Sequence, residues 1–292
     1  LRVGVPVVML TVALLYANPH YVGSSEDDAI YLSLAESLAA GHGMHVDLLP
    51  GTPAVSKYPP VYPILLSLTI RFGVDPDTIT GLWILLAFQA AMLTAAVTLF
   101  INVLLRQLGC TTTQRWCVFA LLVINVTLLH TTVALMSEGL FLLLLVGQFV
   151  CVASYAKDRD PAKETVTDTP RWMRNVLGVL VLAATLTRTI NLFIAAGLAL
   201  PLAVRKRFGP ISRIAISLVL AVIVLYAARL QAGTASSPLV SDYYTSYQPH
   251  VEFYLREFRQ HGPLAGLSRF AGVIYAHTMP GMRSLAHCFF PL

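Results

Sequence analysis

The stretch TGLWILLAFQAAMLTAAVTLFINVLL, residues 80–105, carries no charged side chain. A helix of about 20 mostly apolar residues crosses the hydrocarbon core of a bilayer, so this stretch reads as a transmembrane span. The same composition recurs outward from it. Residues 3–17 form a first span and 80–105 a second, with 116–136 and 137–155 following as a third and fourth joined by a very short link. Residues 176–187 and 190–204 flank Arg188 as a fifth and sixth, 211–230 form a seventh, and an eighth begins near Leu267. Of the 292 residues, 56% are apolar and 12% charged, and mean hydropathy is +0.69. A soluble domain carries about 25% charge. The expectation is an all-α, polytopic transmembrane bundle of about seven or eight spans, integral to its membrane and multi-pass. A bacterial plasma membrane is favoured over the endoplasmic reticulum.

The basic residues orient this bundle. Arg2, Arg106, Arg115, Lys157, Arg159, Lys163, Arg171, Arg174, Arg205, Lys206, Arg207 and Arg213 all fall on one side of the map, and cytoplasmic loops are enriched in Lys and Arg. The excess of 20 Lys+Arg over 15 Asp+Glu is small, and no nucleic-acid partner is expected. The other side receives residues 18–79 as a first outer loop, the turn at 136–138, Arg188, and residues 231–292 as a second, outer region. The chain opens on Leu1 and closes on Cys288-Phe289-Phe290-Pro291-Leu292, and this reading takes both ends as cut. Cys110, Cys117, Cys151 and Cys288 show neither metal spacing nor a disulfide framework.

The first outer loop holds two short helical patterns, both expected to lie at the membrane interface. In 26–40, Ile30, Leu34 and Leu38 recur every four residues, Ser24 and Ser25 precede it as N-caps, and Gly41 and Gly43 end it. Asp27, Tyr31, Ala35 and Leu38 share its packed face, which leaves Asp28 pointing elsewhere. Residues 63–72 form the second pattern. Asp27, Asp28, Lys57, Glu138 and Arg188 come from separated positions, yet the map brings them all to one water-facing level. A carboxylate there can take a proton from a hydroxyl, and a lysine and an arginine can hold a phosphate. His42, His45 and Asp47 have loose metal-ligand spacing. Tyr243 and Tyr244 belong to an aromatic outer segment that could line a groove for acceptor or lipid.

Asp27-Asp28-Ala29-x-Tyr31, Gly41-His42-Gly43 and Tyr58-Pro59-Pro60-x-Tyr62-Pro63 together resemble the GT-C glycosyltransferases. The likeness is nearest to the branch holding the lipid A aminoarabinose transferases and the protein O-mannosyltransferases. Met136-Ser137-Glu138-Gly139 resembles that branch's second acidic motif, with Gly139 where Pro is more usual, and Leu186-Thr187-Arg188 fits its layout. The likeness covers roughly residues 1–230. It implies an inverting transfer of a sugar from a polyprenyl phosphate to a lipid, glycan or protein acceptor, among membrane lipids. Asp27, Asp28 and Glu138 would be catalytic, with Asp27 the base. Lys57 and Arg188 would bind the donor phosphate, and Tyr58 and Tyr62 would join Tyr243 and Tyr244 in the acceptor or lipid groove. No cofactor is firmly implied, and a divalent metal stays open. Two other classes remain: a transporter or flippase of a lipid-linked or anionic substrate, with Lys57 and Arg188 at its entry, and a non-catalytic membrane scaffold. Transporters often carry inverted repeats and midplane charges. No internal repeat is visible, and the charges stand at span ends.

Overall fold

A computed structural model describes residues 2–23, 26–47, 49, 52–55, 57–157, 171–204 and 208–232. All of them belong to the first of two compact units, Leu1–Leu239. Tyr243, Tyr244, Ser24, Ser25 and the span expected from Leu267 lie outside the described residues, as do Arg159, Lys163 and the Arg205–Lys206–Arg207 run.

The described residues form helices and no strand, apart from a single antiparallel bridge between His45 and Ala54. The helices are α1 (Gly4–Tyr16), α2 (Glu26–Ala40), α3 (Val61–Arg71) and α4 (Ile79–Leu99), the last running through a π-helical turn (Phe100–Leu104) into α5 (Leu105–Gln107). After these come α6 (Thr112–Val123), α7 (Val126–His130), α8 (Glu138–Lys157), α9 (Arg171–Thr185), α10 (Asn191–Val204) and α11 (Phe208–Ala232). Among the described residues three stretches are long and apolar enough to cross a membrane: Ile79–Gln107, Glu138–Tyr155 and Phe208–Ala227. The apolar helices Gly4–Tyr16, Trp172–Thr185 and Asn191–Val204 are shorter.

The span expected over 116–136 is broken. Helix α6 stops at Val123, and the carboxamide of Asn125 accepts a hydrogen bond from Leu128 N–H (2.9 Å), starting α7 as a separate helix. Beyond His130 the hydroxyls of Thr131 and Thr132 take the carbonyls of Leu128 and Leu129 (both 2.7 Å). Side chains that bond the backbone locally compete with helix continuation, and an Asn followed by a Thr pair does so at both ends of α7.

Two apolar clusters formed by described residues help to hold the helices together. Val5 and Met9 of α1 pack on Leu93, Val97 and Ile101, with Phe119 beside them. Tyr155 of α8 packs with Leu177, Val181, Leu198, Leu202 and Ile214 of α9–α11. Where α9 meets α11, Ser217 Oγ donates to the carbonyl of Gly178 (2.8 Å), an approach that a glycine permits. The Gln107 amide donates to Ser154 Oγ (2.9 Å), joining the end of α5 to the end of α8. The start of α8 therefore lies toward the other end of the helices, about 24 Å from this contact at 1.5 Å per residue.

At that far end α2 and α3 lie side by side and run the same way. Tyr31 meets Tyr62 near their starts, and Arg71 donates to the Leu38 carbonyl (2.8 Å) near their ends. The chain between them must double back along α2. Gly41 and Gly43, at φ +86° and +90°, make the reversal, a conformation that costs glycine little.

Candidate functional site

The site is built on three tyrosines. Tyr31 lies edge-on to Tyr58 (centroids 5.1 Å apart) and to Tyr62 (5.0 Å). All three are buried. Each phenol is used: Tyr58 donates to Asp27 Oδ1 (2.7 Å), Tyr31 to Ser137 Oγ (3.1 Å) and Tyr62 to Gln89 Oε1 (3.1 Å). One cluster thus ties together α2, the segment before α3, the turn before α8, and the middle of α4. Burial pushes the Tyr31 phenol up to about 12, and the charges of Arg188, Glu138 and Asp27 act on it as well. Burial likewise raises Tyr62, reinforced by Tyr31, Glu138 and Asp28.

Five separated positions do converge here. Lys57 Nζ stands 5.6 Å from the centroid of the Tyr58 ring, within cation–π range. The Val61 N–H donates to the Leu186 carbonyl (3.1 Å), so the start of α3 is fixed to the link that carries Arg188. Arg188 forms an ion pair and hydrogen bond with Glu138 at the start of α8. A buried network braces that link from behind: Asn191 donates to the Val181 carbonyl and to Thr185 Oγ1, and accepts from Gln148.

The two aspartates exchange the surroundings expected of them. Asp28 is fully buried, and its Oδ2 accepts the Gly23 N–H (3.0 Å), whereas Asp27 is exposed. The face that α2 buries is wide, with Ile30, Tyr31, Ser33, Leu34, Ala35 and Ser37 all covered. Asp28 falls inside its margin and is roofed by the turn at Gly23. Asp27 points along the centre of that face, but it sits in the first turn, where the covering elements give out.

Tyr58 and Tyr62, expected to line an acceptor or lipid groove, are instead buried within the cluster. His42 Nδ1 and Asp47 Oδ2 lie 3.5 Å apart on the surface, while His45 turns its Nδ1 to the Thr52 carbonyl (2.9 Å). No group of three or more His, Cys, Asp or Glu side chains suited to a metal is formed among the described residues. Beside this loop, partial burial raises the Glu36 carboxyl, with Asp77, Asp47 and Asp75 adding to the effect.

Gln89 was not anticipated. It is 1% exposed, and its amide donates to the carbonyls of Thr131 (3.0 Å) and Met136 (2.6 Å) while accepting from Tyr62. It thereby holds both ends of the turn that delivers Ser137 and Glu138. Gly139 makes room for it: a Cβ there would lie 3.1 Å from Gln89 Nε2. A lone amide in the apolar first half of α4 was the available signal.

No family model matches the chain, and neither the curated proteins nor the solved structures contain a match to it.

Proposed function

We propose that this protein is a multi-pass membrane glycosyltransferase that moves a sugar from a polyprenyl phosphate to an acceptor hydroxyl on the outer face of its membrane. The observation that carries this reading is Tyr58. Its hydroxyl holds the exposed Asp27 carboxylate while Lys57 lies over its ring, so one buried side chain sets a base and a cation beside each other. The resemblance of the surrounding motifs to GT-C enzymes supports the same assignment.

In the proposed reaction Asp27 takes the proton from the acceptor hydroxyl. The acceptor oxygen attacks the anomeric carbon, and the bond from that carbon to the phosphate oxygen breaks with inversion. The polyprenyl phosphate leaves with the bonding pair, and Lys57 stabilises its charge. Arg188, held by Glu138, is a second cation at the same level. Asp28, roofed by Gly23, is assigned to shaping the start of α2 rather than to chemistry.

The test is Asp27→Asn in the complete protein, assayed for transfer from a labelled polyprenyl-phosphate sugar while donor binding is followed separately. The expected result is a loss of transfer by about 10²–10⁴-fold with donor binding kept, and a loss of donor binding in Lys57→Ala. Transfer that survives the combined loss of Asp27, Lys57 and Glu138 would sink the proposal. So would a parent protein that transfers from no donor offered but moves a lipid-linked or anionic substrate across the bilayer.

A further inference from the structure

The ion pair between Arg188 and Glu138 stands in the proposed site, yet the proton transfer assigned to Asp27 does not use it. Its members come from distant parts of the chain. Glu138 is the first residue of α8, and Arg188 lies in the link between α9 and α10. Their side chains keep 40% and 33% exposure for Arg188 and Glu138 respectively, so a ligand can reach the pair from solvent. The backbone around them is held. Gln89 takes the Met136 carbonyl, Tyr31 bonds Ser137, and the Val61 N–H takes the Leu186 carbonyl. What is left to move is the two side chains.

A guanidinium offers the same flat fork to a carboxylate and to a phosphate. Glu138 therefore fills on Arg188 the place that phosphate oxygens would take, and the two anions compete for it. Letting Glu138 go costs little. Its carboxylate belongs to the first turn of α8, where the helix dipole stabilises an acid. It is also partly hydrated, so its release does not strand a buried charge, the usual cost of breaking an enclosed pair. Keeping both anions without exchange would instead crowd negative charge around the Tyr31 phenol, which already feels Glu138 and Asp27.

We propose that Glu138 is an internal stand-in for the lipid phosphate: the phosphate displaces it from Arg188 on binding, and its return to Arg188 releases the spent polyprenyl phosphate. The identity of the anion rests on the transfer reaction proposed above. Glu138 is then a positioning residue that acts through Arg188. The test uses the full chain in phosphatidylcholine nanodiscs. Binding of geranyl phosphate, a short prenyl phosphate, is titrated against geraniol as the uncharged control. Glu138→Gln keeps an oxygen for the guanidinium and removes the competing charge. Binding should tighten by about fivefold, the upper range for a partly exposed ion pair, with most of the change in slower dissociation. Glu138→Asp keeps the charge but draws it back by a methylene, so it should tighten binding less, and it gives the same reading if Glu138→Gln does not fold. Arg188→Gln should weaken binding, and Glu138→Gln added to it should change nothing further, because the competitor then has no fork to hold. A parent that binds geranyl phosphate, with equal or weaker binding in the Glu138 variants, would overturn this inference and leave the transfer reading standing. Equal tightening in the Arg188→Gln background would reduce Glu138 to a diffuse charge and overturn it as well. A parent that treats geranyl phosphate and geraniol alike would overturn both the inference and the donor assignment beneath it.

Discussion

Gln89 and Asn102 are both amides within one long apolar run, and the structure treats them differently. Gln89 has its acceptor and its donors met by Tyr62 and by two carbonyls of the turn before α8. Asn102, with Thr94 and Thr98, keeps oxygens shut off from solvent with no hydrogen-bond partner among the described residues. Buried polar groups are paired in most proteins, so the contrast separates two uses of polarity in an apolar helix. Around Gln89 it fixes architecture: the amide positions the turn, the turn positions Ser137 and Glu138, and these meet Tyr31 and Arg188. Along Thr94–Asn102 the enclosed oxygens meet no partner among the described residues, and the polarity fixes nothing there.

The largest effect should come from Gln89→Leu. Leucine nearly fills the volume but strands the Tyr62 hydroxyl and the carbonyls of Thr131 and Met136. A buried polar group left unpaired costs about 1–3 kcal/mol, so the thermal midpoint in detergent should fall clearly. Under the proposed function, transfer should fall with it, because Glu138 would lose its support. If Gln89→Leu proved no worse than Asn102→Leu, the distinction between the two amides would collapse. Tyr31→Phe should cost less, about 1 kcal/mol for one hydrogen bond, and it adds a dependence on pH. The Tyr31 phenol is raised from 10.0 to about 12 by burial, so the folded state holds this proton more tightly than the unfolded chain. Its contribution is complete below pH 10 and is lost as pH rises through about 12. The stability gap between parent and Tyr31→Phe should therefore narrow over that window, and the ultraviolet difference spectrum between them should titrate near its upper end. A phenolate signal near pH 10 would mean that Tyr31 is not enclosed by the cluster.

Much of this fold was legible because apolar runs and turn residues are local signals. Helix α2 occupies the 26–40 stretch its periodicity indicated, and α3, α8 and α10 begin within two residues of expectation. The meeting of Asp27, Asp28, Lys57, Glu138 and Arg188 near one end of the helices was legible too, since each lies at or beside the end of an apolar helix. What escaped depended on neighbours distant in sequence. The helical wheel gave Asp27 its direction, but it could not show that covering elements end short of the first turn while the turn at Gly23 roofs Asp28. The break at Asn125 was overlooked because an apolar count over 116–136 does not weigh a side chain that caps. Gln89 gained its role only once the turn at Thr131–Met136 folded against it.

The smallest predicted effect is the sharpest test of the contrast. Thr94→Val keeps the shape of the side chain and removes one hydroxyl. At a satisfied buried site this exchange destabilises, because a hydrogen bond is lost and its partner is stranded. Thr94 Oγ1 has no hydrogen-bond partner among the described residues, so the exchange strands nothing and removes a group that an apolar surrounding disfavours. The thermal midpoint in detergent should stay level or rise, within about 0.5 kcal/mol. A clear destabilisation would place a partner at Thr94 and erase the contrast with Gln89. A level midpoint would leave Gln89 as the polar group of this helix that fixes its neighbours and Thr94 as one that does not.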